Sequence, residues 1–209
     1  MTHRMRLVDE AQTHIQRILK AGDYAVDATA GNGHDTLFLA QCVGPKGHVW
    51  ALDIQAQALD ATQRRLMEAQ CAEQVTLCKQ SHDALINTLP KFTQGKVKAI
   101  MFNLGYLPGS DKALTTQTHT TLSALKQALE FLADEGILSI MLYPGHPGGD
   151  EEAAEVFRWS QALTHDAFTI NHIQTGKSSA PELILIAPKA AGGPRPEQVS
   201  DSESDARAQ

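Results

Sequence analysis

The amino-acid sequence predicts an α/β fold: a doubly wound, mostly parallel sheet with helices on both faces. Short apolar runs alternate with amphipathic helical patterns along most of the chain. The run VKAIMFN at 97–103 is apolar almost throughout, as in a strand that is buried on both faces. The segment TAGNG follows the first apolar run and has the glycines of a tight strand-to-helix turn. Together these observations indicate repeated β–α units.

The first half of the chain contains three such units behind an N-terminal helix. Apolar residues recur at steps of three and four from Met5 to Ile18, which predicts an amphipathic helix ending near Gly22. The runs YAVDA, HVWALD and QVTLC predict the first three strands. Helical patterns follow these strands, beginning near His34, over QAQALDATQRRLMEA, and over HDALINTL, which Pro90 ends.

The second half of the chain continues the alternation. After the strand VKAIMFN, we expect a long helix from about Leu114 to Leu132 and then the strand GILSIML. A further helix is expected from about Asp150 to Leu163, and the runs FTINHIQ and ELILIA predict two closing strands.

Composition and charge limit the class of protein. With 209 residues and 42% hydrophobic content, the chain is long enough for one hydrophobic core, so we expect one domain over 1–189. The segment 190–209 is acidic and nearly lacks large apolar side chains, which predicts a disordered tail. The formal net charge of -6 argues against a surface coated with basic residues for indiscriminate phosphate binding.

Membrane and metal signals are missing from the sequence. No apolar stretch approaches the roughly 18 to 20 residues of a membrane span, and the N-terminus alternates charged with apolar residues. We therefore expect a soluble, cytoplasmic protein. Cys42, Cys71 and Cys78 lack the spacing of a zinc site or a disulfide framework, which indicates reduced, mostly buried cysteines and no metal.

A nucleotide-binding pattern surrounds the first two strands. Asp27 ends the first strand, and Gly31 and Gly33 open a loop before a helix whose N–H groups point toward a bound ligand. Asp53 ends the second strand about 20 residues later, where a ribose-binding carboxylate lies in nucleotide-binding sheets. Without Asp53, the two glycines would be equally consistent with an ordinary tight turn.

Two features favour a methyltransferase over an NAD-binding protein. The dinucleotide fingerprint requires a third glycine where this chain has Thr36. Asp27 precedes Gly31 as in the first motif of class I methyltransferases, where a carboxylate can hold the ammonium group of S-adenosylmethionine but would repel a pyrophosphate. His82 and Asp83 follow the third strand, where these enzymes place residues around the adenine ring; a helix N-cap is the alternative, particularly for Asp83.

The segment FNLGYLPGSDK places an amide side chain at the end of the fourth strand. Asn103 is expected beside the strand of Asp27, at the topological switch point. Methyltransferases of exocyclic amines have Asn or Asp, two prolines, and Tyr or Phe here, and Asn103 and Tyr106 match the outer positions. The Asn103 oxygen can accept an amine N–H and orient the nitrogen lone pair, while Tyr106 can stack on a base. Alternatively, Asn103 caps the loop and Tyr106 packs on its rim.

A second polar loop, YPGHPGGDEE, follows the fifth strand and brings Tyr143 and His146 to the same edge. An alkylamine is largely protonated near neutral pH and must lose a proton before or during transfer. His146 is therefore the candidate base, with a surface-loop histidine as the alternative.

Four segments together closely resemble one class I methyltransferase family, labelled as ribosomal RNA methylases: VDATAGNGHDTLFLA, ALDIQAQAL, FNLGYLPGSDK and YPGHPGGDEE. Its better-characterised members methylate the aminomethyl group of 5-aminomethyl-2-thiouridine at the tRNA wobble position. The resemblance covers about residues 8 to 188. It implies a Rossmann-like, seven-stranded sheet with an antiparallel last strand, S-adenosylmethionine as methyl donor and a tRNA anticodon stem-loop as acceptor.

The resemblance also implies the residues of the site. The cofactor-binding positions are Asp27, Thr29, Gly31, Asn32, Gly33, Asp35, Thr36, Asp53, Gln55, His82 and Asp83. The catalytic positions are Asn103, Tyr106 and His146, and the substrate-binding positions are Gly105, Leu107, Pro108, Asp111, Lys112 and Tyr143. One departure lies before the last strand, where relatives have an Asn and two prolines and this chain has Ser179, Ala180 and Pro181.

Three functions are compatible with the sequence. The first is a wobble-uridine methyltransferase, and the second is methylation of ribosomal RNA or a small-molecule amine, which the acidic net charge supports. The third is an NAD-linked reductase or nucleotide sensor, against which Thr36 argues. An RNA substrate would require basic residues to gather on one face, and a homodimer would supply more surface. The candidates are Arg4, Arg6, Lys96, Lys98, Lys112 and Lys177.

Overall fold

A seven-stranded sheet forms the centre of the protein. The computed structural model describes residues 6–105, 115–174, 176 and 180–189, and the structural statements below concern these residues. The strands are β1 (Tyr24–Asp27), β2 (His48–Leu52), β3 (Val75–Cys78), β4 (Val97–Leu104), β5 (Leu132–Leu142), β6 (Phe168–Gln174) and β7 (Glu182–Pro188). Their order is β3-β2-β1-β4-β5-β7-β6, and neighbours pair in parallel except β7, which is antiparallel to β5 and β6. The expected α/β fold is confirmed.

Helices cover both faces of the sheet. They are α1 (Leu7–Ile18), α2 (His34–Val43), α3 (Ala56–Glu68), α4 (Leu85–Thr88), α5 (Thr118–Phe131) and α6 (Gly149–Ala162). Apolar residues of α1, α2 and α3 pack in one cluster, and those of α4, α5 and α6 pack in another. The sheet is therefore doubly wound, as the alternation of the sequence predicts.

Strand β4 lies in the middle of the core. Ile100, Phe102 and Leu104 face the cluster of α5 and α6, whereas Ala99 and Met101 face the cluster of α1 and α2. This alternation follows from the two-residue period of a strand, and all five side chains are buried. The continuous apolar run is therefore explained by burial on both faces, and it makes β4 a fixed reference for the residues that follow it.

Three element boundaries differ from the prediction. Helix α5 begins at Thr118, not near Leu114, because the backbone N–H of Thr116 bonds the carbonyl of Gly105 at 3.0 Å and holds this segment against β4. The segment HDALINTL is split into a 3₁₀ turn at His82–Ala84 and the short helix α4. Strand β5 begins earlier than GILSIML, at Leu132, with a shift in its register against β4.

Gly33 lets α3 approach the loop between β1 and α2. Gly33 is the N-cap of α2 and has φ = 77°, a left-handed conformation. A Cβ atom at Gly33 would lie only 2.8 Å from both Cα and Oγ1 of Thr62 on α3. Thr62 is fully buried, so the two elements could not move apart without disturbing the core.

We expect Gly33→Ala to destabilise the protein more than Gly22→Ala. Gly22 is also left-handed, with φ = 95°, but its added Cβ would meet no heavy atom within 4 Å. The left-handed penalty of about 1 to 2 kcal/mol applies to both variants, and overpacking against Thr62 adds about 1 to 3 kcal/mol to the first. Urea unfolding of both variants measures the difference; equal losses would show that the contact with Thr62 imposes no constraint.

Candidate active site

A crevice of about 330 Å³ opens at the carboxyl ends of the parallel strands β1 to β4. This is where a doubly wound sheet binds ligands, because the connections diverge at the switch between β1 and β4. Its walls come from the segments that follow these four strands and from the start of α5. The predicted site residues that line it are Thr29, Gly31, Asp53, Gln55, His82, Asn103 and Gly105.

The carboxylate of Asp53 lines the crevice and bonds two backbone N–H groups. Its Oδ2 accepts a hydrogen bond of 2.9 Å from the backbone N–H of Gly31, and its Oδ1 accepts one of 2.9 Å from Gln55 N–H. Each carboxylate oxygen has two lone pairs, so each can accept one more hydrogen bond from a ligand. Asp53 therefore ties β2 to the glycine loop while remaining available to a pair of ligand hydroxyls.

Helix α3 holds the glycine loop from outside. Arg65 Nε donates to the carbonyl of Asn32 at 2.8 Å, and Thr62 Oγ1 donates to the carbonyl of Gly31 at 3.1 Å. These contacts stabilise a loop whose carbonyls would otherwise point into solvent. Asn32 and Gly33 thus shape the loop and do not line the crevice. No motif or spacing in the sequence points to Thr62 or Arg65.

Asp27 is fully buried and supports the loop from below. Its carboxylate accepts hydrogen bonds from Thr36 Oγ1 at 2.6 Å and from the N–H of Thr29 at 3.2 Å. Burial, and then the negative charge of Asp35, raises the pKa of Asp27 to about 7. Asp27 does not line the crevice, and its expected role toward a ligand ammonium group stays a prediction.

His82 contributes a polar atom that has no partner within the described ranges. Its side chain is 8% exposed and lines the crevice, and its Nε2 makes no hydrogen bond there. Burial lowers the pKa of His82, which favours the neutral imidazole. A buried unpaired ring nitrogen is costly unless a ligand bonds it. Thr115 Oγ1, on the opposite wall, is buried and unpaired in the same way.

The alternative reading of His82 and Asp83 as a helix cap is wrong. Ser81 occupies the N-cap position of the 3₁₀ turn, and no side chain bonds the cap. The carbonyl of Asp83 accepts a hydrogen bond of 2.7 Å from Gln127 Nε2, which anchors the turn to α5. This anchor places His82 against the ring of Phe102, with ring centroids 6.0 Å apart.

Asn103 lies at the edge of the crevice, where one hydrogen bond holds its backbone and another holds its side chain. Its backbone N–H donates to Thr29 Oγ1 at 2.7 Å, and its Nδ2 donates to Asp35 Oδ2 at 2.8 Å. The side chain therefore bonds another element, so the interpretation of Asn103 as a loop cap does not hold.

A second group of side chains lies next to Asn103 and Gly105 but outside the crevice walls. The crevice walls do not include Asp35, Tyr143 or His146. The position of a Cβ at Gly105 is 3.3 Å from Tyr143 Cβ and 3.6 Å from His146 Nε2, so both side chains pack on the end of β4. Burial, and then the charge of Asp35, raises the pKa of Tyr143.

Gly149 makes room for the His146 ring. A Cβ at Gly149 would lie 2.6 Å from Nε2 and 2.8 Å from Cδ2 and Cε1 of His146. His146 Nδ1 is 3.1 Å from the carbonyl of Pro147. In the tautomer with the proton on Nδ1, that carbonyl accepts a hydrogen bond and the lone pair is on Nε2, which lies between Gly149 and Gly105.

A buried carboxylate on α6 holds the far wall. Glu152 is 3% exposed and accepts hydrogen bonds from Thr116 Oγ1 at 2.6 Å and Thr121 Oγ1 at 2.7 Å. Thr116 also lines the crevice, so Glu152 joins α6 to the entry of α5. Sequence motifs alone did not identify Glu152, Thr116 or Ile54, a 52% exposed residue in the crevice wall. Ile54 had a signal, since it directly follows Asp53.

Several predicted residues lie outside the described part of the chain: Tyr106, Leu107, Pro108, Asp111, Lys112, Ser179 and the segment 190–209. The expected gathering of basic residues on one face stays a prediction, because Arg4, Lys112 and Lys177 lie outside the described part of the chain. Lys96 and Lys98 are described. Both lie at the amino end of β4, opposite the crevice, and Lys98 pairs with Glu135 at 3.2 Å.

The described residues show neither a membrane-crossing helix nor a metal cluster. No helix in these ranges combines the length and apolar character needed to cross a bilayer. They also contain no group of three or more His, Cys, Asp or Glu side chains arranged to hold a metal ion.

The strand order, the antiparallel β7 and a glycine-loop crevice beside an amide at the end of β4 define a class I methyltransferase fold. The chain belongs to the family described as "Putative rRNA methylase", which it matches over residues 49–188. It is a methyltransferase, as the sequence predicts, and this membership argues against the NAD-linked alternative.

Relatives of known structure or curated function agree with this assignment. The chain is 36% identical over 195 residues to the chloroplastic tRNA (mnm(5)s(2)U34)-methyltransferase of Arabidopsis thaliana, covering 88% of this chain and 69% of that protein. A "putative rRNA-methylase" from Clostridium thermocellum is 34% identical, with a TM-score of 0.84 over 89% of this chain and 99% of that one. A methyltransferase from Streptococcus mutans in complex with SAH is 32% identical, with a TM-score of 0.79 over the same shares.

We expect Asp27 to make the unbound protein less stable as the pH rises. Its pKa is raised from 3.8 to about 7 in the folded state, so between these values the folded protein holds a proton that the unfolded chain releases. The free energy of unfolding should therefore decline from about pH 4 to pH 7, and Asp27→Asn should flatten this decline. Urea unfolding across this range measures it, with the exposed Asp60→Asn as control. An unchanged slope in Asp27→Asn would contradict the assignment.

Proposed function

We propose that this protein transfers a methyl group from S-adenosylmethionine to the amine of 5-aminomethyl-2-thiouridine at wobble position 34 of tRNA. The observation that carries the proposal is the position of Asn103, which lines the crevice and bonds Asp35 on its other side. An amide at this boundary can hold an amine acceptor next to a bound methyl donor. The relation to the chloroplastic tRNA methyltransferase supports this nucleotide.

The crevice residues fit S-adenosylmethionine, which supplies an electrophilic methyl group on a sulfonium centre. Asp53 has one lone pair left on each oxygen for the two ribose hydroxyls. Ile54 offers an apolar surface to the adenine ring, and the unpaired Nε2 of His82 offers a polar atom to its edge. The carboxylate of Asp53, which lines the crevice, favours a cationic ligand over a pyrophosphate. The Streptococcus mutans relative, which was crystallised with SAH, supports this cofactor.

The chain contributes orientation and proton acceptance to the reaction. Asn103 Oδ1 accepts an N–H of the acceptor amine and directs the nitrogen lone pair toward the methyl carbon. A bond forms between nitrogen and carbon as the carbon–sulfur bond breaks, and the amine gives up one proton. His146 Nε2, which faces Gly105, takes this proton. Tyr143 packs beside it and limits the access of water.

Ribosomal RNA is a second candidate acceptor, since the description of the family names it. The two substrates are distinguished by incubating the purified protein and S-adenosylmethionine with tRNA or ribosomal RNA from cells that lack the gene, followed by nucleoside mass spectrometry. Methylation of the aminomethyl nucleoside in tRNA supports the proposal. Methylation of ribosomal RNA alone would overturn it. A homodimer and a cytoplasmic location remain predictions.

Asn103→Ala should abolish transfer while leaving the donor bound. We expect the single-turnover rate on undermodified tRNA to fall about 100-fold or more, because the amine is no longer oriented. The dissociation constant for S-adenosylmethionine, measured by calorimetry, should change less than about threefold. Asn87→Ala, at an exposed position of α4, is the matched control and should behave like wild type. A variant with normal rates would remove Asn103 from the acceptor site.

His146→Ala should change the pH dependence of methyl transfer. Without its proton acceptor, the protein can use only the fraction of amine that is already neutral, which rises with pH. We expect a loss of about 10- to 100-fold near neutral pH that shrinks as the pH increases toward 9. Rates from pH 6 to 9 test this, with the exposed His165→Ala as control. A loss that is constant across this range would assign His146 a packing role only.

A further inference from the structure

Asp35 lies behind Asn103 and bonds two amide side chains. Its Oδ1 accepts a hydrogen bond of 2.9 Å from Gln12 Nε2 on α1, and its Oδ2 accepts one of 2.8 Å from Asn103 Nδ2. The carboxyl group belongs to the first turn of α2, and the residue is 9% exposed. It does not line the crevice that would hold the cofactor.

The charge of Asp35 decides which way the Asn103 amide points. A carboxylate can only accept hydrogen bonds, so Asn103 must direct its NH₂ group toward Asp35. The carbonyl oxygen of the same planar amide then points away from Asp35. A neutral carboxamide at position 35 could pair with either end of the amide, and the orientation would no longer be fixed.

Helix α1 extends this constraint beyond the sheet. Leu7, Ala11 and Ile15 are buried and anchor one face of α1, which packs against β4, β5 and β7. Gln12 follows Ala11 on the helix and reaches Asp35. The helix lies outside residues 49–188, which match the family, yet it contacts the residue that orients Asn103.

The surroundings of Asp35 also match a cationic acceptor. The ion pairs that involve described residues do not include Asp35, and the titratable groups that sense its charge are Asp27 and Tyr143. Among the described residues, the side chains that hydrogen-bond this buried carboxylate are the neutral amides of Gln12 and Asn103, and such a carboxylate favours the approach of a positive group. A protonated alkylamine next to Asn103 would be such a group.

We propose that Asp35 is a positioning residue of the acceptor side and not a cofactor ligand. Gln12 holds the carboxylate of Asp35. The carboxylate holds the NH₂ group of Asn103, so that the carbonyl oxygen of Asn103 points toward an alkylamine acceptor. This assignment rests on the proposed function for the identity of the amine. It replaces the cofactor role that the sequence resemblance implies for Asp35, and it adds Gln12 to the site.

The orientation of Asn103 can be tested without any reaction. In the ¹⁵N-labelled protein, the side-chain NH₂ signals of Asn103 are identified by their loss in Asn103→Ala. We expect slow exchange of these protons with water in the wild type, and an increase of about tenfold or more in Asp35→Asn. Gln12→Ala should give a smaller increase, and Gln16→Ala, an exposed position one turn further along α1, should give none.

Two further measurements on the same variants show whether Asp35 acts on the acceptor side or on the cofactor side of the site. For Asp35→Asn, we expect the dissociation constant for S-adenosylmethionine to stay within about threefold of wild type. The single-turnover rate of methyl transfer to undermodified tRNA at saturating S-adenosylmethionine should fall about tenfold or more. Gln12→Ala should reduce this rate in the same direction and Gln16→Ala should not.

The proposal would be overturned by unchanged Asn103 side-chain exchange in Asp35→Asn. It would also be overturned if Asp35→Asn bound S-adenosylmethionine about tenfold or more weakly and if saturating S-adenosylmethionine restored its rate of methyl transfer. If Gln12→Ala behaves like Gln16→Ala, the contribution of α1 is excluded. If the wild type binds S-adenosylmethionine but methylates no tRNA, the proposed function fails, and the exchange and affinity measurements still decide the role of Asp35.

Discussion

The parallel pairing of β1 with β4 is the constraint on which the rest of the site depends. It aligns Asp27 with Met101 and brings the chain segments after the two strands side by side. The N–H of Asn103 then reaches Thr29 Oγ1 at 2.7 Å. Because β4 is buried on both faces, this alignment cannot slip without exposing apolar side chains. Every contact of Asn103 with the β1–α2 segment follows from this pairing.

Carboxylates organise the polar part of the site. Asp53 holds the glycine loop, Asp35 holds Asn103, and Glu152 holds the start of α5 through two threonines. Each acid bonds groups from a different element, so each acts as a joint between elements as well as a source of negative potential. Burial, and then the charge of Asp35, raises the pKa of Asp27 to about 7, so this acid makes folding less favourable as the pH rises.

Asn103 separates two regions of different chemistry. On one side is the open crevice with Asp53, which can accept hydroxyls, and with the unpaired His82 Nε2. On the other side are Asp35 and the packed Tyr143 and His146. The sequence places all of these residues near strand ends but gives no indication of this division. The division explains how one amide side chain can lie between donor and acceptor.

Local patterns in the sequence suffice to predict the strands, their alternation with helices, and the positions of Asp53 and Asn103 at strand ends. These follow from local periodicity and from the rule that ligands bind at the carboxyl ends of parallel strands. The burial of Asp27 against Thr36, the bonds of Asp35 with Gln12 and Asn103, and the late start of α5 emerge only in the folded chain. Each of these depends on hydrogen bonds between different segments of the chain, and local patterns contain no information about such pairs.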